Sequence, residues 1–251
     1  LDNIEDLRLK WFDHFLKGMH TDVVDGPPTN MFIMGGGTGR PDLLGRMLHG
    51  GQWRREDDWP PRGTGFVDYF LQPEGGLSTE GPVPEAAPSR YTFDPADPVP
   101  TLGGCIQTPG VSGIVAGGAF DQRGRPDLFF ASKDNLPFGA RNDVLVFETP
   151  PLEQDIEVTG PVVVQLWASS SAPDTDFTAK LLDVYPPSED YPLGFAMNLC
   201  DGIIRARYRN SRERAELMEP GEIYSFDIDL QATGNLFKRG HRIRLDISSS
   251  N

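Results

Sequence analysis

The chain is 251 residues long, enough for one large domain or two modest ones and for a core that needs no disulfide staples. It carries 23 lysines and arginines against 37 aspartates and glutamates, a formal net charge of −14. A surface of that sign repels phosphate backbones and anionic lipid, which argues against nucleic-acid and membrane partners. Glycine (28) and proline (23) make up about a fifth of the sequence while 38% is hydrophobic, the profile of a folded, turn-rich chain with many short strands. No apolar run nears the roughly 20 residues of a bilayer crossing. The start is acidic from Asp2 to Asp6 and lacks the basic opening of a signal peptide, so a soluble, cytoplasmic chain is expected. Cys105 and Cys200 stand apart, without C-x-x-C spacing, and read as ordinary buried thiols.

In chain order, the first predicted element is an amphipathic helix over residues 1 to 17. Ile4, Leu7, Trp11, Phe12, Phe15 and Leu16 fall near i, i+3, i+4 spacing, with Gly18 at the stop. It carries too much apolar surface to stand alone, and a packing partner outside this sequence is expected, as for a piece of a longer protein. Thr29 to Met34 reads as a short buried strand, followed by a glycine-rich loop from Gly35 to the pair Gly50-Gly51. Residues 72 to 104 form a proline-rich meander, expected to be ordered and wrapped over a domain through Tyr91, Phe93 and Val99.

From about residue 143 the period becomes two. Val144 to Phe147, Val162 to Trp167 and Phe177 to Val184 read as strands, the last with Phe177, Ala179 and Leu181 opposed to Thr178 and Lys180. Tyr224, Phe226, Ile228 and Leu230 then share one face, as do His241, Ile243, Leu245 and Ile247. Strands without intervening helices predict antiparallel sheets packed face to face, with a jelly-roll-like sandwich as the leading architecture.

The chemistry-bearing motifs are incomplete. Gly110-Val111-Ser112-Gly113-Ile114 has isoleucine where a nucleophile elbow closes on glycine, and reads as a flexible loop. His14, His20, His49 and His241 lack metal-ligand spacing, and His241, on an apolar strand face, reads as a hydrogen-bonded core histidine. Gly35-Gly36-Gly37-Thr38-Gly39-Arg40 matches neither a phosphate loop nor a dinucleotide fingerprint and reads as tight turns. Asp174-Thr175-Asp176 fits either the mouth of a calcium site or, the plainer reading, a turn into the next strand. Arg205, Arg207 and Arg209 alternate with Ala206 and Tyr208, which predicts one strand face salt-bridged to a neighbour, with an anion-binding patch as the sharper option. Trp53 and Trp59 are placed to stack on a sugar or, more plainly, to anchor a loop. No metal, cofactor or complete catalytic set is expected from the residues.

Several stretches, in order, resemble the C-terminal part of the X-Pro dipeptidyl-peptidase and cocaine-esterase-like (CocE/NonD) family of serine hydrolases. Leu9-Lys10-Trp11-Phe12-Asp13-His14-Phe15-Leu16-Lys17-Gly18 resembles the helix after that family's catalytic histidine. Phe32-Ile33-Met34-Gly35, Gly51-Gln52-Trp53-Arg54 and Trp59-Pro60 resemble the strand and landmarks leading into its C-terminal domain. The most specific match runs from Asp143 to Leu152, through Val158-Thr159-Gly160-Pro161, to Ser169 through Leu181. Cys200 to Arg209 and Gly240 to Asn251 complete it.

The resemblance implies a mainly β fold, a jelly-roll (galactose-binding-like) β-sandwich preceded by one helix and strand left over from an α/β-hydrolase domain. Residues 1–60 would be the tail of that domain and its connecting loop, and 61–251 the jelly roll. It implies a whole protein that hydrolyses ester or amide bonds through a Ser-His-Asp acyl-enzyme, with the triad upstream of Leu1 and no catalytic residue here. Following Pro98-Val99-Pro100-Thr101-Leu102-Gly103-Gly104, residues Ile106, Gln107 and Thr108 would wall the substrate pocket. The implied partners are a small ester or amide substrate, the α/β-hydrolase domain of the same chain and, through the bare helix, further copies in a homo-oligomer. The rival reading is a stand-alone carbohydrate- or protein-binding β-sandwich.

Overall fold

A computed structural model describes residues 4–43, 45–104, 120–126 and 134–250. Helix α1 (Ile4–Lys17) has Glu5 and Asp6 in its first turn and His14 and Lys17 in its last, charges that complement the helix dipole. Gly18 follows with φ 65°, the left-handed residue that commonly ends a helix. None of its side chains is buried. Leu7, Trp11, Phe12 and Phe15 are all exposed, and Phe15 contacts the rings of Trp11 and His14 of the same helix, ring centres 4.4 and 4.7 Å apart. The helix is tethered on its polar side, where Lys10 pairs with Asp22 at 3.0 Å and Thr21 Oγ1 donates to the Lys10 carbonyl.

The rest is mainly β. After β1 (Thr29–Gly35) and β2 (Gly51–Glu56) comes a short hairpin of β3 (Phe70–Leu71) and β4 (Leu77–Ser78). The remaining strands are β5 (Leu145–Glu148), β6 (Ile156–Ala168), β7 (Asp176–Tyr185), β8 (Phe195–Arg205), β9 (Tyr224–Phe237) and β10 (Arg242–Ser248). Two four-stranded sheets result, in the orders β2-β1-β9-β6 and β5-β10-β7-β8. Their facing side chains form one core: Val164 and Leu166 of β6 and Phe226, Ile228 and Leu230 of β9 meet Phe177 and Leu181 of β7 and Ile243, Leu245 and Ile247 of β10. This is the arrangement expected of packed sheets whose strands alternate apolar and polar. Phe226 is wholly buried, so truncation to alanine removes a full aromatic ring's burial.

The expected antiparallel pairing holds in the second sheet, whereas the first is mixed. β1 runs parallel to β9, with Met34 opposite Asn235. The strand expected as a remnant of a preceding α/β domain is therefore a member of the sandwich, and β2 is its hairpin partner. Periodicity marks a strand but does not choose its neighbour, which is why the division at residue 60 cuts through a sheet. The glycine-rich loop does turn tightly: Gly37 N donates to the His49 carbonyl at 2.8 Å, and a Cβ at Gly37 would lie 2.2 Å from the Leu48 carbonyl oxygen. No side chain other than hydrogen fits there.

Two bulges redirect polar side chains. In β9 the register shifts opposite Pro161 and Val163, beside Gln231 at φ 66°. Beyond it Thr233, Asn235 and Phe237 turn inward, where unbroken alternation after Leu230 would have buried even-numbered residues. In β8, Leu181 lies opposite Cys200 but Leu182 opposite Asn198. The extra residue leaves Cys200 in the core and turns Asn198 to the outer face.

Candidate functional site

The outer face of the second sheet carries Thr178, Lys180 and Leu182 of β7 beside Arg244, Asp246 and Ser248 of β10, and all six are buried. Segments 91–104, 120–126 and 134–144 cover it. Tyr91 OH bonds Ser249 Oγ at 2.8 Å, Val99 N donates to Ser250 Oγ at 2.9 Å, and Val99 itself is buried, so the proline-rich meander does wrap the domain. Gly139 rests on Arg244, where an added Cβ would lie 1.9 Å from a guanidinium nitrogen. Arg244 in turn holds Asp246 through two hydrogen bonds.

Beneath this cover lies a polar clamp. Gln122 is buried; its Nε2 donates to the Leu102 carbonyl at 2.8 Å and the Phe120 carbonyl at 3.3 Å. Its Oε1 accepts from Lys180 Nζ at 3.1 Å. Phe120 N donates to Asn198 Oδ1 at 2.9 Å, and the Asn198 N–H returns a bond to the Phe120 carbonyl. Gly104 lies against Asp201: a Cβ there would stand 2.7 Å from Oδ2. Leu102–Gly104 and Phe120–Gln122, the flanks of residues 105–119, are thus fixed to β7 and β8. Ile106, Gln107, Thr108, Cys105 and the Ser112 motif lie outside the described residues.

Burial pushes the Lys180 ammonium down to about 8, with Asp246 and Asp201 opposing that effect and Arg244 adding to it. The unfolded chain keeps this proton to about 10.5, so from about pH 8 to 10.5 the native state binds fewer protons and stability gains with rising pH. Across that window the gain is about 3 kcal/mol. The stability of the wild type relative to Lys180→Met should therefore rise by that order across the window, read from urea midpoints on either side of it.

A second buried network closes one end of the sandwich between the sheets. Asp183 accepts from His241 Nδ1 at 2.8 Å and Asn235 Nδ2 at 3.1 Å. Asn235 Oδ1 faces His49 Nε2 at 2.8 Å, and His49 Nδ1 meets the Tyr185 hydroxyl. Because Asn235 spends its amide on Asp183, its oxygen must accept from His49 Nε2–H, and His49 Nδ1 must accept from Tyr185. Burial pulls His49 below the usual histidine range and lifts the Tyr185 phenol, so both stay neutral as this bonding requires. His241 is the core histidine expected. Among the described residues no serine hydroxyl bonds either ring, and no group of three metal-ligating side chains converges.

The remaining motifs have structural partners. Asp176 is held twice by Arg205, at 2.8 and 2.9 Å; Asp174 Oδ1 accepts from Arg207 N and pairs with its guanidinium. The acidic loop is a turn into β7. Arg205, Arg207 and Arg209 do find acidic partners, the last in Glu216, but not from one strand face. β8 ends at Arg205, and Ala206–Tyr208 is a 3-10 turn. Trp53 lies on β2 against Phe32, 5.3 Å between ring centres, and remains half exposed, as does Trp59.

The sequence pattern does not single out Gln122, Asn198 or Asp201, and it places Lys180 on the face opposite Phe177, Ala179 and Leu181 without marking that face as buried. A lysine in mid-strand within Phe177–Val184, whose other polar residues are Thr178 and Asp183, beside a long proline-rich segment needing a bed, is the available signal.

Comparison with known proteins follows this architecture. A family model described as the X-Pro dipeptidyl-peptidase C-terminal non-catalytic domain matches residues 21–251. Cocaine esterase of Rhodococcus sp. (strain MB1 Bresler) is 39% identical over 251 residues, covering 96% of this chain and 37% of that protein. An α-amino acid ester hydrolase structure superposes with a TM-score of 0.70 at 28% identity, over 96% of this chain and 36% of that one. An aminopeptidase from a marine-sediment Thaumarchaeota archaeon gives 0.69 at 29% identity, over 98% and 36%. The chain thus spans little more than a third of the proteins it matches. It belongs to the family of X-Pro dipeptidyl-peptidase C-terminal non-catalytic domains, those of peptidases and cocaine-esterase-type hydrolases.

Proposed function

We propose that the whole protein is a serine hydrolase of ester or amide bonds, and that this domain, a jelly-roll (galactose-binding-like) sandwich, walls its acyl pocket through Ile106, Gln107 and Thr108. The observation carrying this is the clamp, which ties both flanks of residues 105–119 to the rigid second sheet, in a chain 39% identical to cocaine esterase. Pocket walls act well when rigid elements hold them. In this reading a serine of the preceding α/β-hydrolase domain attacks the carbonyl, a histidine serves as base and then acid, and an acyl-enzyme is hydrolysed. In this reading none of the described residues moves a proton or attacks, and the domain shapes the space for the acyl group.

The unpartnered face of α1 is proposed to pack on that preceding domain. The matched family region starts at residue 21, which leaves α1 outside it, and a face bearing Leu7, Trp11, Phe12 and Phe15 favours burial. Of the proposed tail over 1–60, it is α1 that belongs with the hydrolase domain, while β1 and β2 serve the sandwich.

The test is kcat/KM of the whole protein for an acetyl and a benzoyl ester. Thr108→Phe should penalise the benzoyl ester by roughly 1 to 3 kcal/mol and spare the acetyl ester. Equal loss on both would assign Thr108 to folding or chemistry, and no change would remove this segment from the pocket. Saturable sugar binding by the isolated chain on a glycan array, with no effect of Thr108→Phe, would favour a stand-alone binding module.

A further inference from the structure

We propose that His49 is a proton-operated latch, holding the glycine-rich turn between β1 and β2 against the end of the sandwich at neutral pH and releasing it in mild acid. The hairpin meets β9 along a short seam of two residue pairs, Met34 with Asn235 and Gly35 with Leu236. Past that seam the turn is braced internally, by Gly37 N on the His49 carbonyl and Leu48 N on the Arg40 carbonyl, both at 2.8 Å. It reaches the second sheet at Gly39, where a Cβ would lie 3.3 Å from the Tyr185 ring, and through the His49 side chain. That ring bonds strands of both sheets, β9 through Asn235 and β7 through Tyr185. At the other end of the hairpin Arg54 grips Glu157 with two hydrogen bonds, so release is confined to the turn.

The ring makes both bonds only when neutral. Nε2 carries its one proton toward Asn235, and Nδ1 takes the hydroxyl proton of Tyr185. A second proton would sit on Nδ1 and meet that hydroxyl proton head on, and among the described residues the Tyr185 hydroxyl has no other hydrogen-bond partner to turn to. Two further titratable groups face the ring: Asp183 of β7 favours its protonation and His241, just before β10, opposes it. On the turn itself Asp42 and Arg46 pair with each other at 2.8 Å. Burial outweighs the help from Asn235 and Asp183 and keeps the docked ring below the usual histidine range. Lifted into water, the ring takes its proton near the ordinary value of 6.5. Acid therefore feeds the lifted form, whose population grows by up to about tenfold for each pH unit below that value until the docked ring itself titrates.

The experiment is amide hydrogen exchange of the full-length protein, read by mass spectrometry on peptides covering residues 36–50 and, as a reference, 177–184, with rates corrected for the intrinsic pH dependence of exchange. In the wild type the 36–50 peptide should exchange roughly tenfold faster, so corrected, at about pH 5 than at about pH 7.5, while the reference strand holds steady. His49→Gln keeps a donor toward Asn235 but has nothing to titrate, and should abolish this response whatever its level of protection. His241→Asn keeps a donor toward Asp183 and should leave the response in place. A turn equally protected at both pH values in the wild type overturns the latch, as does a response shared by the reference strand, which is acid unfolding. A response that survives His49→Gln or disappears in His241→Asn assigns the proton to another group and overturns it too. If His49→Gln does not fold, the wild type and His241→Asn carry the decision.

Discussion

The isolated 251-residue chain should hydrolyse a nitrophenyl ester no faster than buffer, against an acceleration of at least about a millionfold for the whole protein in the function proposed above. That gap is the largest effect expected here. Most of a hydrolase's acceleration comes from a positioned nucleophile and a preorganised oxyanion site, and the described residues assemble neither. His49 is committed to Asn235 and Tyr185, and His241 to Asp183. Saturable turnover by the isolated chain that vanished on Ser112→Ala would contradict this and would restore a motif whose sequence argues against it.

The second large effect is on stability. Asp183 is wholly buried and serves as the acceptor for both His241 and Asn235. Asp183→Ala leaves two buried donors without a partner, opens a gap between the sheets and cuts the line of bonds leading to His49 and Tyr185. Loss of about 3 to 5 kcal/mol is expected, seen as a lower urea midpoint at unchanged slope. Asp183→Asn keeps one acceptor oxygen and should lose less. A loss below about 1 kcal/mol for Asp183→Ala, no more than a typical substitution, would mean that water or rotated partners replace the carboxylate.

The strands legible in the sequence are those with one wet face. Tyr224 to Leu230 alternates cleanly because Ser225, Asp227 and Asp229 point outward, and burial along β9 follows that pattern as far as Leu230. β8 escaped notice because its bulge interrupts the alternation and Gly202 offers no side chain, pressed instead against the Asp229 carbonyl, 2.3 Å from where a Cβ would sit. β7 is legible as a strand, but the burial of its second face is not: the cover over Lys180 comes from residues far along the chain, and a local pattern carries no record of it. The site was hidden for the same reason. Gln122, Asn198 and Lys180 come from a connection and two strands, and their chemistry exists only where those meet. The resemblance reached the family through residue identities, which preserve such long-range pairings without revealing them.

The parallel pairing of β1 with β9 also sets a schedule. Met34 finds its neighbour Asn235 only after about 200 further residues have been made, about 10 to 40 s later at ordinary rates of synthesis. Through that interval the β1–β2 hairpin emerges with its inner edge unpaired, showing the Met31 and Ile33 side chains that end up buried, and a two-stranded hairpin has little stability by itself. The second sheet also waits, since its inner strand β10 follows β5, β7 and β8 in the chain. Closure of both sheets therefore converges on the same stretch, Tyr224 to Ser248, so that a ribosome stalled before it would release not half a sandwich but a set of open edges, substrates for chaperones or for one another.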